Sequence, residues 1–184
     1  MKELSLNILD IAENSVKAGA SLIEITVDES DNNVTVILIK DDGCGMTPEI
    51  LNSVTNPFYT TRTTRSVGLG IPLFKLSAEQ TGGYLEITSK TSDEKDSTHG
   101  TLLKAFYNRN HIDMTPLGDV ISTITTLIQG HPEKDFLFIH KMKNGVVSLD
   151  TRELRSILDP VPLNSYEVLV WIEENLREQY SELN

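Results

Sequence analysis

Asp10, Glu13, Asn14 and Lys17 fall within two turns of the segment LDIAENSVKAGAS, near the start of a 184-residue chain. Residues four apart are neighbours on a helix, so Asp10 and Asn14 share one face and Glu13 and Lys17 share another. Further along, DDGCGM follows an apolar run. Its two glycines can continue neither helix nor strand, and its flexible backbone lets a ligand approach closely with Asp41 alongside. SVGLGIP then opens an apolar segment in which Gly68 and Gly70 leave backbone N–H groups unobstructed. Pro72 is tolerated in a first turn, where its missing N–H costs little. A helix start stripped of side chains favours phosphate, because free N–H groups and the helix dipole both point at the anion. Gly-x-Gly alone is common, and the specific feature is the order. A polar helix precedes an Asp-x-Gly-x-Gly turn, a Thr- and Arg-rich stretch, a Gly-x-Gly helix start and a late Gly-Thr.

Those residues need elements to hold them. Leu4, Ile8, Ile11 and Ser15 form one stripe of a helix over 4–18, with Gly19 as terminator. LIEITVD alternates Ile23, Ile25 and Val27 against Glu24, Thr26 and Asp28, the pattern of a strand with one wet face. VTVILIK is apolar in both registers and predicts a central strand that delivers the chain into DDGCGM. A short helix over 48–53, a second over 71–80 ended by Gly82-Gly83, and the strands YLEITSK and GTLLKAFY complete this half. Turns too short for parallel crossovers argue for an α+β sandwich over 1–108, a mixed sheet with helices on one face.

Residues 109–184 read as a small α/β accessory domain that follows a linker, NRNHIDMTP. Thr115-Pro116 can cap and start a helix to about 128, with Leu117, Val120, Ile124 and Leu127 inward. DFLFIHKM and GVVSL flank Lys143-Asn144-Gly145, a hairpin signal, and Asp150 with Glu153 makes a capping box. A last helix over 165–180 buries Leu169, Ile172 and Leu176. Whether this piece is a separate domain or extends the first sheet is open at this level.

Composition narrows the function classes. Hydrophobic residues are 39% of the chain, enough for a packed core. The single cysteine, Cys44, rules out an internal disulfide and suits a reducing compartment. No run approaches the roughly 18 apolar residues of a membrane span, so a cytoplasmic protein with no membrane partner is expected. The net charge of -11 argues against a nucleic-acid partner, since phosphate-backbone binding is driven by Lys and Arg. Four scattered histidines make no metal-ligand spacing.

Over residues 4–107 the ordered motifs resemble the GHKL ATPase superfamily of gyrase B subunits, a heat-shock chaperone family, histidine kinases and MutL proteins. ENSVKAGA is similar to the family's N box and DDGCGM to its G1 box. NPFYTTR and VGLGIPLFK are similar to the lid and G2 box of the histidine kinase-like ATPase domain, and HGT to the last box. The resemblance implies an α/β sandwich holding ATP beneath a mobile lid. It implies that Asn14 offers its amide oxygen to a Mg²⁺ bridging the phosphates, which suits a cation that keeps phosphate oxygens and water as its other ligands. Asp41 would accept a hydrogen bond from the adenine amino group, and Gly43 and Gly45 would let the base approach the backbone. Thr60, Thr61, Arg62 and Arg65 would form the lid, with arginine forking phosphate oxygens. Gly68, Leu69 and Gly70 would present backbone donors to phosphate, and Thr101 would reach adenine through water. Lys17 matches a phosphate-contacting lysine of some kinases, with pairing to Glu13 as its alternative.

Two departures shape the functional expectation. Four residues before the magnesium-binding Asn, hydrolysing relatives and related serine kinases carry a glutamate base. Here the position is Asp10, one methylene shorter, which can still take a proton from water or a hydroxyl within about 3 Å or through one water. Glu13 is the competing carboxylate and lies on another face. Second, only a few residues precede the N box, and none of the four histidines lies on an evident coiled coil. Ordinary autophosphorylation is therefore not expected. The resemblance implies a Mg-ATP-binding kinase or phosphotransferase acting on a separate partner protein, or a nucleotide-dependent switch that regulates partner docking; an oligomer is compatible with both.

Overall fold

The computed structural model describes residues 3–55, 69–91 and 99–183. Its elements run α1 (Leu4–Lys17), β1 (Leu22–Glu29), β2 (Val34–Asp41), α2 (Pro48–Ser53), α3 (Gly70–Glu79), β3 (Tyr84–Lys90) and β4 (Gly100–Asn108). They continue through α4 (Val120–Gly130), β5 (Asp135–Met142), β6 (Gly145–Asp150), α5 (Thr151–Leu158) and α6 (Tyr166–Glu182). One six-stranded sheet has the order β3-β4-β2-β1-β5-β6, and only the β1–β5 pairing is parallel.

Alternation decides which face is covered. Ile23, Ile25 and Val27 of β1 are buried beside Ile37 and Ile39 of β2, Leu103 and Ala105 of β4, and Phe136 and Phe138 of β5. Each Ile, Val, Leu and Phe among them contributes roughly 1.5–3 kcal/mol of transfer free energy on burial. The buried stripe of α1, with Leu4, Ile8, Ile11 and Ala12, lies in the same core as Phe74 of α3 and Ile124 and Leu127 of α4. The mixed sheet with its helical layer is the expected sandwich. As anticipated from its two apolar registers, β2 is central, between β4 and β1.

Residues 109–184 contribute β5 and β6 to this same sheet, with β5 laid parallel to β1 from Leu22↔Asp135 to Glu29↔Met142. Here α4 packs on α1, and α6 packs on α4 and β6. The helix expected from Thr115 begins instead at Val120. Asp119 caps it by accepting from the Ser122 N–H at 2.9 Å, and Gly118, at φ +79°, breaks the chain before it. The carbonyls of Pro116 and Leu117 serve another purpose, accepting from the Leu4 and Ser5 N–H groups at 3.0 and 2.8 Å. They satisfy donors that the first turn of α1 cannot pair internally. Among the described residues no helix is long and apolar enough to cross a membrane.

Candidate functional site

The chemistry collects where β2 ends and β4 begins. Asp41 is the last residue of β2 and only 7% exposed. Its Oδ2 accepts from the Ser15 hydroxyl at 2.7 Å, and its Oδ1 accepts from the Gly43 and Thr101 N–H groups at 3.0 and 3.2 Å. All three donors are neutral. A carboxylate offers about four acceptor positions, so these bonds fix its orientation and leave capacity on the side that lines a cavity. Behind it, the Thr101 hydroxyl meets Ser89 Oγ at 2.9 Å, and Ser89 Oγ accepts from the Met46 N–H at 2.8 Å.

The turn after Asp41 is fitted to the chain around it. Cys44 N–H donates to the Ala18 carbonyl at 2.9 Å, which docks the turn on the end of α1. A Cβ at Gly43 would come within 2.9 Å of the Ala18 Cβ. At Gly45, φ is +70° and a Cβ would overlap the Lys90 carbonyl. The missing side chain at Gly45 thus makes room for the end of β3, while the residue itself still lines the cavity. Asp42 holds the start of β1, accepting from the Ser21 and Leu22 N–H groups at 2.6 and 2.9 Å.

The cavity measures about 410 Å³. Ile11, Met46, Ile50, Leu69, Ile71 and Leu103 give it an apolar wall, and Asn14, Ser15, Lys17, Asp41 and Thr101 give it polar edges. The first residues of α3 form part of its rim, from Leu69 to Pro72, and the N-cap residue Leu69 offers no side-chain hydrogen bond to the helix. The opening N–H groups and positive dipole end of a helix start suit an anion. Asn14 lies against this helix start, with its Nδ2 3.2 Å from where a Gly70 Cβ would stand. Among the described residues no cluster of three or more His, Cys, Asp or Glu side chains could hold a metal ion. An oxygen-seeking cation here would lean on the Asn14 amide and on its ligand's own oxygens.

Asp10 is exposed on α1 and is not among the cavity-lining residues, although its Cβ lies 3.8 Å from the point a Gly70 Cβ would occupy. Lys17 lines the cavity and also makes its alternative pairing with Glu13 at 3.6 Å. Glu13 also meets His131 Nε2 at 2.8 Å. Burial raises its pKa, but the His131 hydrogen bond and the His131 and Lys17 charges outweigh that and hold the carboxyl below its ordinary range. Thr60, Thr61, Arg62, Arg65 and Gly68 lie outside the described residues. Ser15, which the helical period assigns to an apolar stripe, is the site residue that pattern reading misses. A hydroxyl at 3% exposure on a stripe otherwise made of Leu4, Ile8 and Ile11 is the available signal.

Comparison with known proteins bears on the family and the fold. Residues 2–107 match the sequence profile described as histidine kinase-, DNA gyrase B-, and HSP90-like ATPase. The chain is 31% identical over 94 residues to an NtrY-like sensor histidine kinase of Rickettsia felis, and 34% identical over 95 residues to the sensor protein SrrB of Staphylococcus aureus. Those stretches are 50% and 49% of this chain but only 15% and 16% of the relatives' lengths. Among solved structures, the Aquifex aeolicus MutL ATPase domain complexed with ADP superposes with a TM-score of 0.56 at 15% identity, covering 97% of this chain and 70% of that one. The N-terminal domain of a DNA repair protein gives 0.58 at 17% identity, covering 95% and 56%. These structural likenesses concern the fold.

Proposed function

Because the chain belongs to the histidine kinase-, DNA gyrase B- and HSP90-like ATPase family, we propose that it binds Mg-ATP and transfers the terminal phosphoryl group to a separate partner protein. The reading rests on one observation above the others. A buried carboxylate, Asp41, is oriented by three neutral donors and lines a cavity whose rim includes the first turn of α3.

Asp41 accepts from the exocyclic amino group of adenine; guanine presents an acceptor at that position and would oppose oxygen to oxygen. Gly43 and Gly45 shape the turn beside the base, and Thr101 supports it through an ordered water. The triphosphate runs toward Leu69 and Gly70 with Lys17 at its flank, and the family resemblance assigns Thr60, Thr61, Arg62 and Gly68 to phosphate binding as well. Asn14 would hold a magnesium ion together with phosphate oxygens and water, and the ion would offset the phosphate charge. Asp10 takes the proton of the partner's hydroxyl or imidazole as that group's new bond to phosphorus forms, the bond to the bridging oxygen breaks, and ADP leaves.

A second reading, a nucleotide switch with little or no transfer, is favoured by the exposure of Asp10 outside the cavity wall. Calorimetry with ATP, with and without magnesium, tests the binding claim, and a flat isotherm in both conditions would end it. Incubation with γ-labelled ATP and candidate partners then separates the readings. Labelled partner supports transfer, and bound ATP with no labelled partner supports the switch. Asp10→Asn is expected to abolish turnover while sparing binding; unchanged turnover would remove Asp10 from the mechanism.

A further inference from the structure

The segment 109–184 grips α1 along its length. Pro116 and Leu117 accept from its first N–H groups, the Thr123 hydroxyl donates to the Ser5 carbonyl at 3.4 Å, and His131 closes on Glu13 near its last turn. The His131 backbone is fixed twice: its N–H donates to the Leu127 carbonyl, and its carbonyl accepts from Lys134. The ring therefore arrives at Glu13 from a defined position at the end of α4.

Glu13 divides its two oxygens. Oε1 meets His131 at 2.8 Å and Oε2 meets Lys17 at 3.6 Å. Lys17 in turn lines the cavity, on the face where the nucleotide reading places phosphate. Its ammonium is thus offered to two anions at once, one of them built into the fold. We propose that Glu13 and His131 are positioning residues that set how much of Lys17 is available to a nucleoside triphosphate, so that the accessory segment tunes the phosphate end of the cavity. The inference rests on the nucleotide reading above and deepens it by naming a control on that site.

The signs of the effects follow from who holds whom. Glu13→Gln removes the anion that competes for Lys17, so ATP affinity rises. His131→Ala leaves Lys17 as the principal cation for Glu13, which draws the ammonium away from the ligand, so ATP affinity falls. An exposed lysine–carboxylate pair is worth little, and each change is expected to be about 2–5-fold.

The test is calorimetry of ATP and AMP binding to the full chain and its variants. In the supporting outcome, the ATP-to-AMP affinity ratio rises in Glu13→Gln and falls in His131→Ala. His131→Gln, which keeps a donor, recovers the parent ratio, and both shifts vanish in a Lys17→Ala background. Three outcomes overturn the inference while leaving the nucleotide reading in place. One is a Glu13→Gln gain that persists without Lys17, which would mean direct repulsion of phosphate. Another is both variants moving the ratio in the same direction, and the third is no movement in a protein that binds ATP. Absence of ATP binding in the parent protein would sink the nucleotide reading itself, and this inference with it.

Discussion

The sheet holds a carboxylate at each end, Asp41 buried and Glu29 half-buried, and the two are treated differently. At one end Asp41 is held by a hydroxyl and two backbone N–H groups and lines a cavity. At the other, Glu29 accepts from the Thr35 hydroxyl at 3.0 Å and from His140 Nε2 at 3.2 Å, with Arg109 at 3.7 Å. The far nitrogen of His140 meets the Tyr180 hydroxyl at 2.7 Å, so α6 is tied through the ring to β1. Glu29 therefore has a hydroxyl, an imidazole and a guanidinium as protein partners, and its network ends inside the fold. Among the described residues Asp41 has dipoles only, and its network stops at a cavity. The contrast separates recognition from architecture: a carboxylate set by neutral donors with capacity in hand is suited to an incoming donor, whereas one matched to His and Arg is consumed by the structure.

The sharpest way to break this comparison is to remove each carboxylate in turn. Asp41→Ala is expected to weaken ATP binding roughly 10²–10³-fold, since it removes a buried acceptor that the adenine amino group needs. In the parent protein, replacing ATP by a nucleotide that lacks that amino group should cost on the order of 10²-fold or more. Isothermal titration checks both, and equal affinities for the two nucleotides would remove Asp41 from base recognition. Glu29→Ala should instead cost about 2–3 kcal/mol of stability, because it strands the buried His140 without its carboxylate. In a chain of this size that is a fall in Tm of about 5–10 °C, with ATP affinity in the folded protein unchanged. A loss of affinity on that side would mean the two ends are coupled and the division is wrong.

Much of this contrast could be read from sequence at the Asp41 end and little of it at the Glu29 end. The alternation of Ile23, Ile25 and Val27 announced β1, the double apolar register of VTVILIK announced a central β2, and Asp41 stood at its exit. These are local signals with period two. The parallel seating of β5 on β1 has no such local mark, because parallel partners are joined by long crossovers rather than by turns. Without that pairing, His140 is one more scattered histidine and Glu29 one more acid in the turn ESDNN that follows LIEITVD. Ser15 was hidden for a related reason: its helical period assigned it to the core correctly, but only the fold brings β2's last carboxylate within 2.7 Å of its hydroxyl. The glycine of the G1 turn at position 45 was legible as necessary, yet the reason, the Lys90 carbonyl filling its Cβ space, is a long-range contact.

A pH series sharpens the Glu29 side. The His140 hydrogen bond, aided by Thr35 and Arg109, holds the Glu29 carboxyl below its ordinary value of 4.5 against the opposing effect of burial. The folded state therefore prefers the anion more than the unfolded chain does. The resulting stability is complete above about pH 4.5 and is lost as pH falls through the lower folded value. The Tm gap between the parent and Glu29→Gln should accordingly hold steady between about pH 6 and pH 5 and narrow toward about pH 3. Calorimetric melts across that range decide it, and a gap unchanged at the acid end would contradict an ionic role.

The smallest expected effect makes the cleanest comparison, because the same chemistry can be deleted at both ends. Ser15 and Thr35 each donate a buried hydroxyl to a carboxylate, at 2.7 and 3.0 Å. Losing such a bond to a charged acceptor costs about 1.5 kcal/mol. In Ser15→Ala the freed Oδ2 can turn or recruit water from the cavity, so part of the cost appears as a misaligned Asp41 and ATP affinity falls by about 5–10-fold. In Thr35→Val the Glu29 carboxylate keeps His140 and Arg109, no ligand is involved, and the cost appears in the melting temperature alone. Titration and thermal melts on the two variants place each on a plot of affinity against stability. If Ser15→Ala lowers only the melting temperature, the hydroxyl supports the fold rather than the carboxylate's aim, and the neutral cradle around Asp41 has no bearing on ligand recognition.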